Sequence, residues 1–290
     1  MYNLWKFVIK NKIDIGFSSS ITMTQVSVIT KMKSILLDDD DDDVEPLVVK
    51  FGHSFADVVL SPACVHRKTK KLISYQGFHE LAYLHPNRFK PVESVLDEIG
   101  LKQGEVFFLL RFNAFKAHHD SGIKGLSFEN KKELINYLEK RGKVFITTER
   151  AIEDEFKKYQ LVVSSEKVHS LLYFAKIFVS DSQTMTSESA ILGTPAIRCN
   201  SFVGRISYLE EEEHKYELTY GFTPDESEKM FKKIDELLSL NNLKEEWSIR
   251  KNKLLTEKID VTAFYVWFIE NYPKSVEIMK QNSDFQFNFI

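Results

Sequence analysis

Residues 176–200, KIFVSDSQTMTSESAILGTPAIRCN, decide the fold of this chain. The apolar run at 177–179 predicts a buried parallel strand, and Gly193 after a small-residue segment predicts a left-handed helix stop. A second strand is predicted at 195–199. The stretch is therefore one βαβ unit. The turn between its first strand and its helix lies at the carboxyl end of a parallel strand, where open α/β sheets bind ligands.

The turn and the first part of the helix, residues 181–188 (DSQTMTSE), suit an anion. Free N–H groups at a helix start and the positive end of the helix dipole hold a phosphate without a basic side chain. Glu188 would lie one turn into the helix, where a carboxylate can accept both hydroxyls of a ribose. The pattern fits a nucleotide diphosphate, and it also fits an ordinary N-cap. The candidate nucleotide-sugar-binding residues in this stretch are Asp181, Ser182, Gln183, Thr184, Met185, Thr186 and Glu188.

The composition describes a globular chain of 290 residues, 43% hydrophobic and 28% charged, long enough for two domains. Its net charge of −3 gives no field that favours nucleic acid or an anionic membrane, so we expect no nucleic-acid partner and at most peripheral membrane contact. Two cysteines, Cys64 and Cys199, exclude a disulfide framework and favour a reducing compartment. No apolar run approaches the ~18 residues of a membrane span and no secretory signal opens the chain. We therefore expect a cytoplasmic protein.

The first part of the chain predicts a Rossmann-like half with four apolar strands, at 13–17, 34–37, 56–60 and 72–75. Six aspartates, 38–43, follow the second strand at once. Such a run is usually a solvated loop, although its place at a strand end would allow one or two carboxylates to face a cleft. Carboxylates at a strand end could bind a metal ion, but a run of adjacent residues has no ligand spacing, so we predict no metal site there.

This half lacks the strand and helix that normally open a doubly wound domain, which predicts a first domain truncated at its N-terminus. Its first strand would then have an unpaired edge, and such an edge is a template for association. We therefore expect either a homodimer through this region or a loosely packed first 60 residues.

The segment 75–91 (YQGFHELAYLHPNRFKP) has the glycine and prolines of an interdomain connection. His79 and Glu80 either pack against both domains or line the cleft between them as acid or base. For Tyr83 and His85 we favour packing.

A second α/β set begins with strands at 106–111 and 143–147. Alternating strands and helices imply a parallel sheet, and an aromatic helix at 260–275 is predicted to be core. Polar residues that follow strand ends gather at one face of this sheet: Arg111, His118, His119, Asp120, Glu149, Asp181, Asn200 and Arg205.

The stretches YQGFHELAYLHPNRF, RFNAFKAHHDSGIKGLS, VFITTE, DSQTMTSESAILGTPAIRCNSFVGR and KIDVTAFYVWFIENYP resemble an uncharacterised archaeal and bacterial family of predicted GT-B-type glycosyltransferases. That family is related to the non-hydrolysing UDP-N-acetylglucosamine 2-epimerases. The resemblance implies two Rossmann-like domains that face a cleft, with a nucleotide-sugar site on the second. It implies an acceptor-side domain at 1–85, a nucleotide-sugar-binding domain at 92–259, and a C-terminal helix at 260–290 that crosses back to the first.

The resemblance implies a glycosyltransferase that uses a nucleotide-diphosphate sugar, UDP-linked, and a glycan or lipid-linked acceptor in surface polysaccharide synthesis. Arg111, Glu149 or Arg205 would lie at the nucleotide sugar, and the catalytic base would be His79, Glu80 or His119. No metal and no further cofactor would be needed. A sugar-nucleotide 2-epimerase and a non-catalytic nucleotide-sugar-binding protein are the alternatives.

Overall fold

The computed structural model describes residues 1–102, 104–112, 125–148 and 152–290. These residues form two compact units. Unit 1 contains Met1–Ala82, Ile206–Tyr208 and Thr256–Ile290, and unit 2 contains Tyr83–Arg205 and Leu209–Leu255. Each unit has one parallel β-sheet whose strands alternate with helices, which confirms the predicted α/β class with two Rossmann-like domains.

The sheet of unit 1 has the order β1-β2-β3-β4, and every neighbouring pair is parallel. Its strands are β1 (Ile15–Ser18), β2 (Lys33–Leu37), β3 (Val58–Pro62) and β4 (Leu72–Tyr75). The helices of the first 84 residues are α1 (Tyr2–Asn11), α2 (Ile21–Val28), α3 (Pro46–Val48), which continues as a π-helix (Val49–His53), and α4 (Leu81–Leu84). Within this sheet β1 pairs only with β2, so it is an edge strand, as the sequence predicts.

The C-terminal segment of unit 1 is two helices rather than the single helix predicted at 260–275. They are α12 (Val261–Glu270) and α13 (Lys274–Gln281), and a 3₁₀ helix, Ser283–Phe289, follows. Pro273 separates them because a proline ring cannot continue a helix that requires its N–H. The aromatic residues of α12 are core, as expected: Phe264 and Phe268 are fully buried, and Trp267 stacks on Phe285 with ring centroids 4.7 Å apart.

Gly77, just after β4, is required by close packing against α12. A Cβ added at Gly77 would lie 2.4 Å from Cγ2 of Val261, a fully buried and stiff side chain. We expect Gly77→Ala to destabilise unit 1 by about 1–3 kcal/mol, the usual scale of overpacking, as measured by urea denaturation. In the double variant with Val261→Ala the loss should be less than the sum of the two single losses. Additive losses would show that the contact does not decide the effect.

The sheet of unit 2 has the order β6-β5-β7-β8-β9, again all parallel. Its strands are β5 (Phe107–Arg111), β6 (Lys143–Thr147), β7 (Ile177–Ser180), β8 (Ala196–Cys199) and β9 (Thr219–Phe222). The sequence pattern does not indicate β9, because its four residues, TYGF, are not a continuous apolar run; only Thr219 of the four is buried.

The helices from residue 95 to 257 are α5 (Val95–Glu98), α6 (Phe128–Glu139), α7 (Val168–Phe174), α8 (Gln183–Leu192), α9 (Ser207–His214), α10 (Ser227–Ser239) and α11 (Leu243–Glu257). Short 3₁₀ helices lie at Asp154–Tyr159, Ser165–Lys167 and Pro224–Glu226. The helix α8 ends as the sequence predicts, with Gly193 left-handed at φ 81°.

The strand order places a topological switch point between β5 and β7. From β5 the chain passes to β6 on one side and then returns to β7 on the other. Ligands of open α/β sheets bind outside the carboxyl ends of the strands at such a point. Arg111, which ends β5, pairs with Ser180, which ends β7, and the turn predicted to bind an anion follows directly.

Candidate functional site

The turn from β7 into α8 presents backbone N–H groups at a helix start. Ser180 Oγ accepts the Ser182 N–H at 2.6 Å, and Ser182 Oγ caps the helix by accepting the Met185 N–H at 3.4 Å. The N–H groups of Gln183 and Thr184 are at the first two helical positions, which have no acceptor within a helix. The turn can therefore offer two amides and the positive end of α8 to an anion.

Two of the small hydroxyls in this turn point into the protein. Thr186 Oγ1 donates to the Ser182 carbonyl at 2.6 Å, and Ser187 Oγ donates to Glu212 Oε1 at 2.5 Å. These two hydroxyls are therefore engaged in hydrogen bonds within unit 2. Met185 is also buried, so it contributes only its backbone, whereas Thr184 is exposed.

Glu188 is held in a fixed position by two side chains that sequence analysis did not assign to the site. Its Oε1 accepts the Tyr83 hydroxyl at 2.8 Å and lies 3.0 Å from Nε2 of His169, which donates to the carboxylate. The His169 ring contacts Tyr83 and also meets Phe89 edge to face, with centroids 6.0 Å apart. Both polar contacts are on Oε1, so Oε2 has no hydrogen bond to any residue that the structure describes.

Hydrogen bonds connect the carboxyl ends of β5, β7 and β8 beside the turn into α8. The Asp181 N–H donates to the Arg111 carbonyl at 3.3 Å, and Asn200 Nδ2 donates to the Asp181 carbonyl at 2.9 Å. Asp181 is buried, Arg111 is half-buried, and Arg205 is exposed with its guanidinium carbon 5.3 Å from the Phe202 ring centroid. The candidates His118, His119, Asp120 and Glu149 lie outside the described residues.

In unit 1 the aspartate run is not the solvated loop that its charge predicts. Asp38 is buried, with its Oδ2 2.6 Å from Nε2 of His53 and 3.0 Å from Arg67. The Arg67 side chain is only 1% exposed. The start of the run can fold inward here because a buried guanidinium and an imidazole provide the partners that a buried charge requires, while Asp43 at its other end is exposed.

Arg67 fixes the run at several points. Its Nε donates to Ser61 Oγ at 2.8 Å, and its NH1 donates to Asp42 Oδ1 at 2.6 Å, while NH2 donates to the Asp40 carbonyl. Asp41 accepts both the N–H and the hydroxyl of Ser207, at 2.7 and 2.6 Å. The loop after β2 is therefore held by side chains from several parts of unit 1.

Asp39 and the predicted acid/base residues are neighbours in unit 1. Burial raises the pKa of Asp39, the charge of Asp38 raises it further, and His79 opposes both effects. Glu80 is buried. Burial also raises the pKa of Tyr75, whose hydroxyl lies 2.7 Å from that of Tyr265, and the charges of Asp39 and Glu80 add to this effect. Carboxylates and an imidazole in one such cluster can exchange protons with a substrate.

Asp40 gives this loop a measurable pH dependence, because burial and the nearby charges of Asp39 and Asp38 raise its pKa to about 7. A carboxyl whose pKa is higher in the folded chain binds more protons there, so stability falls as the pH rises from about 4 to about 7. We expect Asp40→Asn to raise the melting temperature by a few degrees at pH 8 and by less at pH 5. Asp43→Asn, at the exposed end of the run, is the matched control. An equal effect at both pH values would contradict this assignment.

Among the described residues, no group of three or more His, Cys, Asp or Glu side chains is arranged to hold a metal ion. No helix in that part of the chain is long and apolar enough to cross a membrane.

A family model described as "Protein of unknown function (DUF354)" matches residues 1–218. A search of the curated proteins gives no match.

Solved structures with the same fold include S. aureus MnaA in a co-structure with UDP, which is 11% identical with a TM-score of 0.65 over 94% of this chain and 80% of that one. A glycosyltransferase from Rickettsia africae is 11% identical, with a TM-score of 0.58 over 95% and 80%. The UDP-GlcNAc 2-epimerase from Methanocaldococcus jannaschii is 14% identical, with a TM-score of 0.57 over 86% and 79%. Together with the two parallel sheets, these similarities show a GT-B-like fold.

Proposed function

The chain belongs to the DUF354 family, and from the geometry of unit 2 we propose that it is a nucleotide-sugar enzyme that binds UDP at the turn into α8. The observation that carries this proposal is the position of that turn. It lies at the switch point of the sheet, with two helix-start amides and with Glu188 one turn further along α8. The UDP in the S. aureus MnaA structure supports the choice of nucleotide.

Each part of UDP would contact different groups of unit 2. The diphosphate would accept the N–H groups of Gln183 and Thr184, and the ribose hydroxyls would donate to the Glu188 carboxylate, whose Oε2 carries no other described hydrogen bond. Arg111 and Arg205 would neutralise the charge that develops on the leaving diphosphate. Glu149 remains a candidate for the same site.

We propose glycosyl transfer as the reaction. A base takes the proton of an acceptor hydroxyl, the hydroxyl oxygen bonds to the anomeric carbon, and the bond from that carbon to the phosphate oxygen breaks to release UDP. His79 and Glu80 are the candidate bases in unit 1, and His119 remains a third. The acceptor would be a glycan or a lipid-linked sugar of surface polysaccharide synthesis.

A 2-epimerase is the second candidate, and the similarity to the M. jannaschii epimerase favours it. That reaction needs acid and base groups around one bound sugar and no acceptor. The cluster of Asp39, His79 and Glu80 would meet this requirement as well as it meets that of a transferase. A third candidate function is binding of nucleotide sugars without turnover.

Product analysis separates these functions. The purified chain is incubated with a panel of UDP-sugars, with and without candidate acceptors, and the products are identified by NMR. A new glycoside supports the transferase, and an epimer without acceptor supports the isomerase. Binding of UDP without any product would leave only the binding protein, and no binding of UDP or UDP-sugars would contradict the whole proposal.

The proposed role of Arg111 can be tested with a substitution that keeps the positive charge and changes the geometry of the side chain. We expect Arg111→Lys to weaken UDP binding about tenfold, because lysine keeps the charge but loses the planar, bidentate contact with phosphate. Isothermal titration measures the affinity, and an unchanged melting temperature is the control. Full activity and affinity in this variant would make the arginine structural.

A further inference from the structure

Unit 2 has a second cavity that the proposed function does not use. It has a volume of about 390 Å³ and lies at the amino ends of β5, β7 and β8. The turn into α8 lies at the other end of these strands. Its walls come from the carboxyl ends of α7 and α8 and from the first turns of α11. A cavity of this size falls within the range of small-molecule sites.

Three lysines line this cavity: Lys176, Lys244 and Lys251. None of the three is within ion-pair distance of a carboxylate of the described residues, whereas many other lysines of the chain are paired. The Nζ atoms of Lys244 and Lys251 lie 5.4 and 5.8 Å from the ring centroid of Tyr173. Burial lowers the pKa of Lys251, and the like charge of Lys244 lowers it further.

The acidic residues in the wall offset the charge of these lysines only in part. Glu93 and Glu105 also line the cavity. The carboxylate of Glu105 already accepts the Lys102 N–H at 2.6 Å and lies 3.4 Å from Nζ of Lys143. The three lysines and two carboxylates leave the lining positively charged.

Backbone N–H groups provide part of the capping at the end of α8. The Ala190 and Ser189 carbonyls accept the N–H groups of Gly193 and Thr194, each at 2.9 Å. A Cβ at Gly193 would lie 3.0 Å from Cδ of Lys251, so the absence of a side chain there gives room for the lysine stem. The helix α11 begins in this wall and contributes its positive end, whereas α7 and α8 contribute their negative ends, so the positive charge of the lining comes from the lysine side chains.

We propose that this cavity is a second binding site, for a phosphorylated small molecule of about the size of a sugar phosphate. The phosphate would lie between Lys244 and Lys251, where it relieves the repulsion of two cations that have no carboxylate partner in the described part of the chain, and the remainder of the molecule would pack on Tyr173. The site is separate from the turn into α8 and does not depend on the proposed function.

Pyrophosphate is the probe, titrated calorimetrically into the full chain in the presence of saturating UDP, so that the diphosphate site at the turn into α8 is already occupied. We expect binding that weakens at least tenfold in the double variant Lys244→Met and Lys251→Met, because methionine keeps an unbranched stem without the charge. Lys253→Met, on the same helix but outside the cavity, is the matched control and should leave the affinity unchanged. UDP affinity should be the same in all of these chains, which separates this site from the one at α8.

Two results would overturn the proposal. One is pyrophosphate binding that is as strong in the double variant as in the natural chain, since the anion then binds elsewhere. The other is an absence of pyrophosphate binding by the natural, folded chain. Melting temperatures of the variants within a few degrees of the natural chain show that the comparison is between folded proteins.

Discussion

Replacing Glu188 with alanine should weaken UDP binding by roughly 1.5–3 kcal/mol, the scale of a hydrogen bond to a charged group. This is roughly a 10- to 150-fold rise in the dissociation constant. The Glu188 side chain is 9% exposed, and Tyr83 and His169 hold its carboxylate from one side, so its geometry is fixed before the ligand arrives. A group that is already in position loses little entropy on binding, and its removal should therefore have a large effect.

Two further variants identify the cause of the loss. Glu188→Gln keeps the shape but removes the charge, and we expect most of the loss to remain. Tyr83→Phe removes only the hydroxyl that positions the carboxylate, and a smaller loss is expected. Isothermal titration with UDP gives the affinities, and circular dichroism gives the fold. Unchanged affinity in a folded Glu188→Ala chain would remove Glu188 from the site.

Replacing Arg67 with methionine should destabilise unit 1 by about 3–5 kcal/mol, the usual effect of breaking a buried ion pair from one side. The variant would leave Asp38, whose side chain is 6% exposed, with His53 as its remaining partner, and would release Asp42 and the Asp40 carbonyl. Arg67→Lys should be nearly as damaging, because an ammonium cannot reach all of these acceptors from one position. The loss of the fixed aspartate loop should also reduce any activity that depends on Asp39 and His79.

Thermal unfolding followed in the natural chain, Arg67→Met and Arg141→Met tests this expectation. Arg141 makes an exposed ion pair with Asp235 at 3.4 Å, so its removal should change stability by less than about 1 kcal/mol. Adding Asp38→Asn to Arg67→Met should recover part of the stability, because the buried charge is then gone. Equal melting temperatures for the two arginine variants would show that the buried network does not stabilise unit 1.

Local patterns in the sequence predicted the parts of the fold that depend on neighbouring residues. The apolar run before the turn, an N-cap within residues 181–188 and the stop at Gly193 each depend on a few adjacent positions, and the structure has all three, with Ser182 as the cap. The other strands of unit 2 that are apolar runs were also predicted from a few adjacent residues. The strand β9 has only one buried residue and could not be found in this way.

Contacts between distant residues could not be predicted from these patterns. Tyr83 and Glu188 are 105 positions apart, and nothing near Tyr83 indicates which carboxylate its hydroxyl reaches. The aspartate run presents the same difficulty, because its burial depends on Arg67, which is 29 positions beyond Asp38 and follows a different strand. For both sites, charge and spacing identified the region and tertiary packing decided which atoms meet.

The most direct test of the account is a crystal structure of the full chain soaked with UDP. We expect the diphosphate at the start of α8, within hydrogen-bond distance of the Gln183 and Thr184 N–H groups. The ribose hydroxyls should donate to the Glu188 carboxylate. UDP bound at another place in unit 2, with the turn into α8 unoccupied, would contradict it.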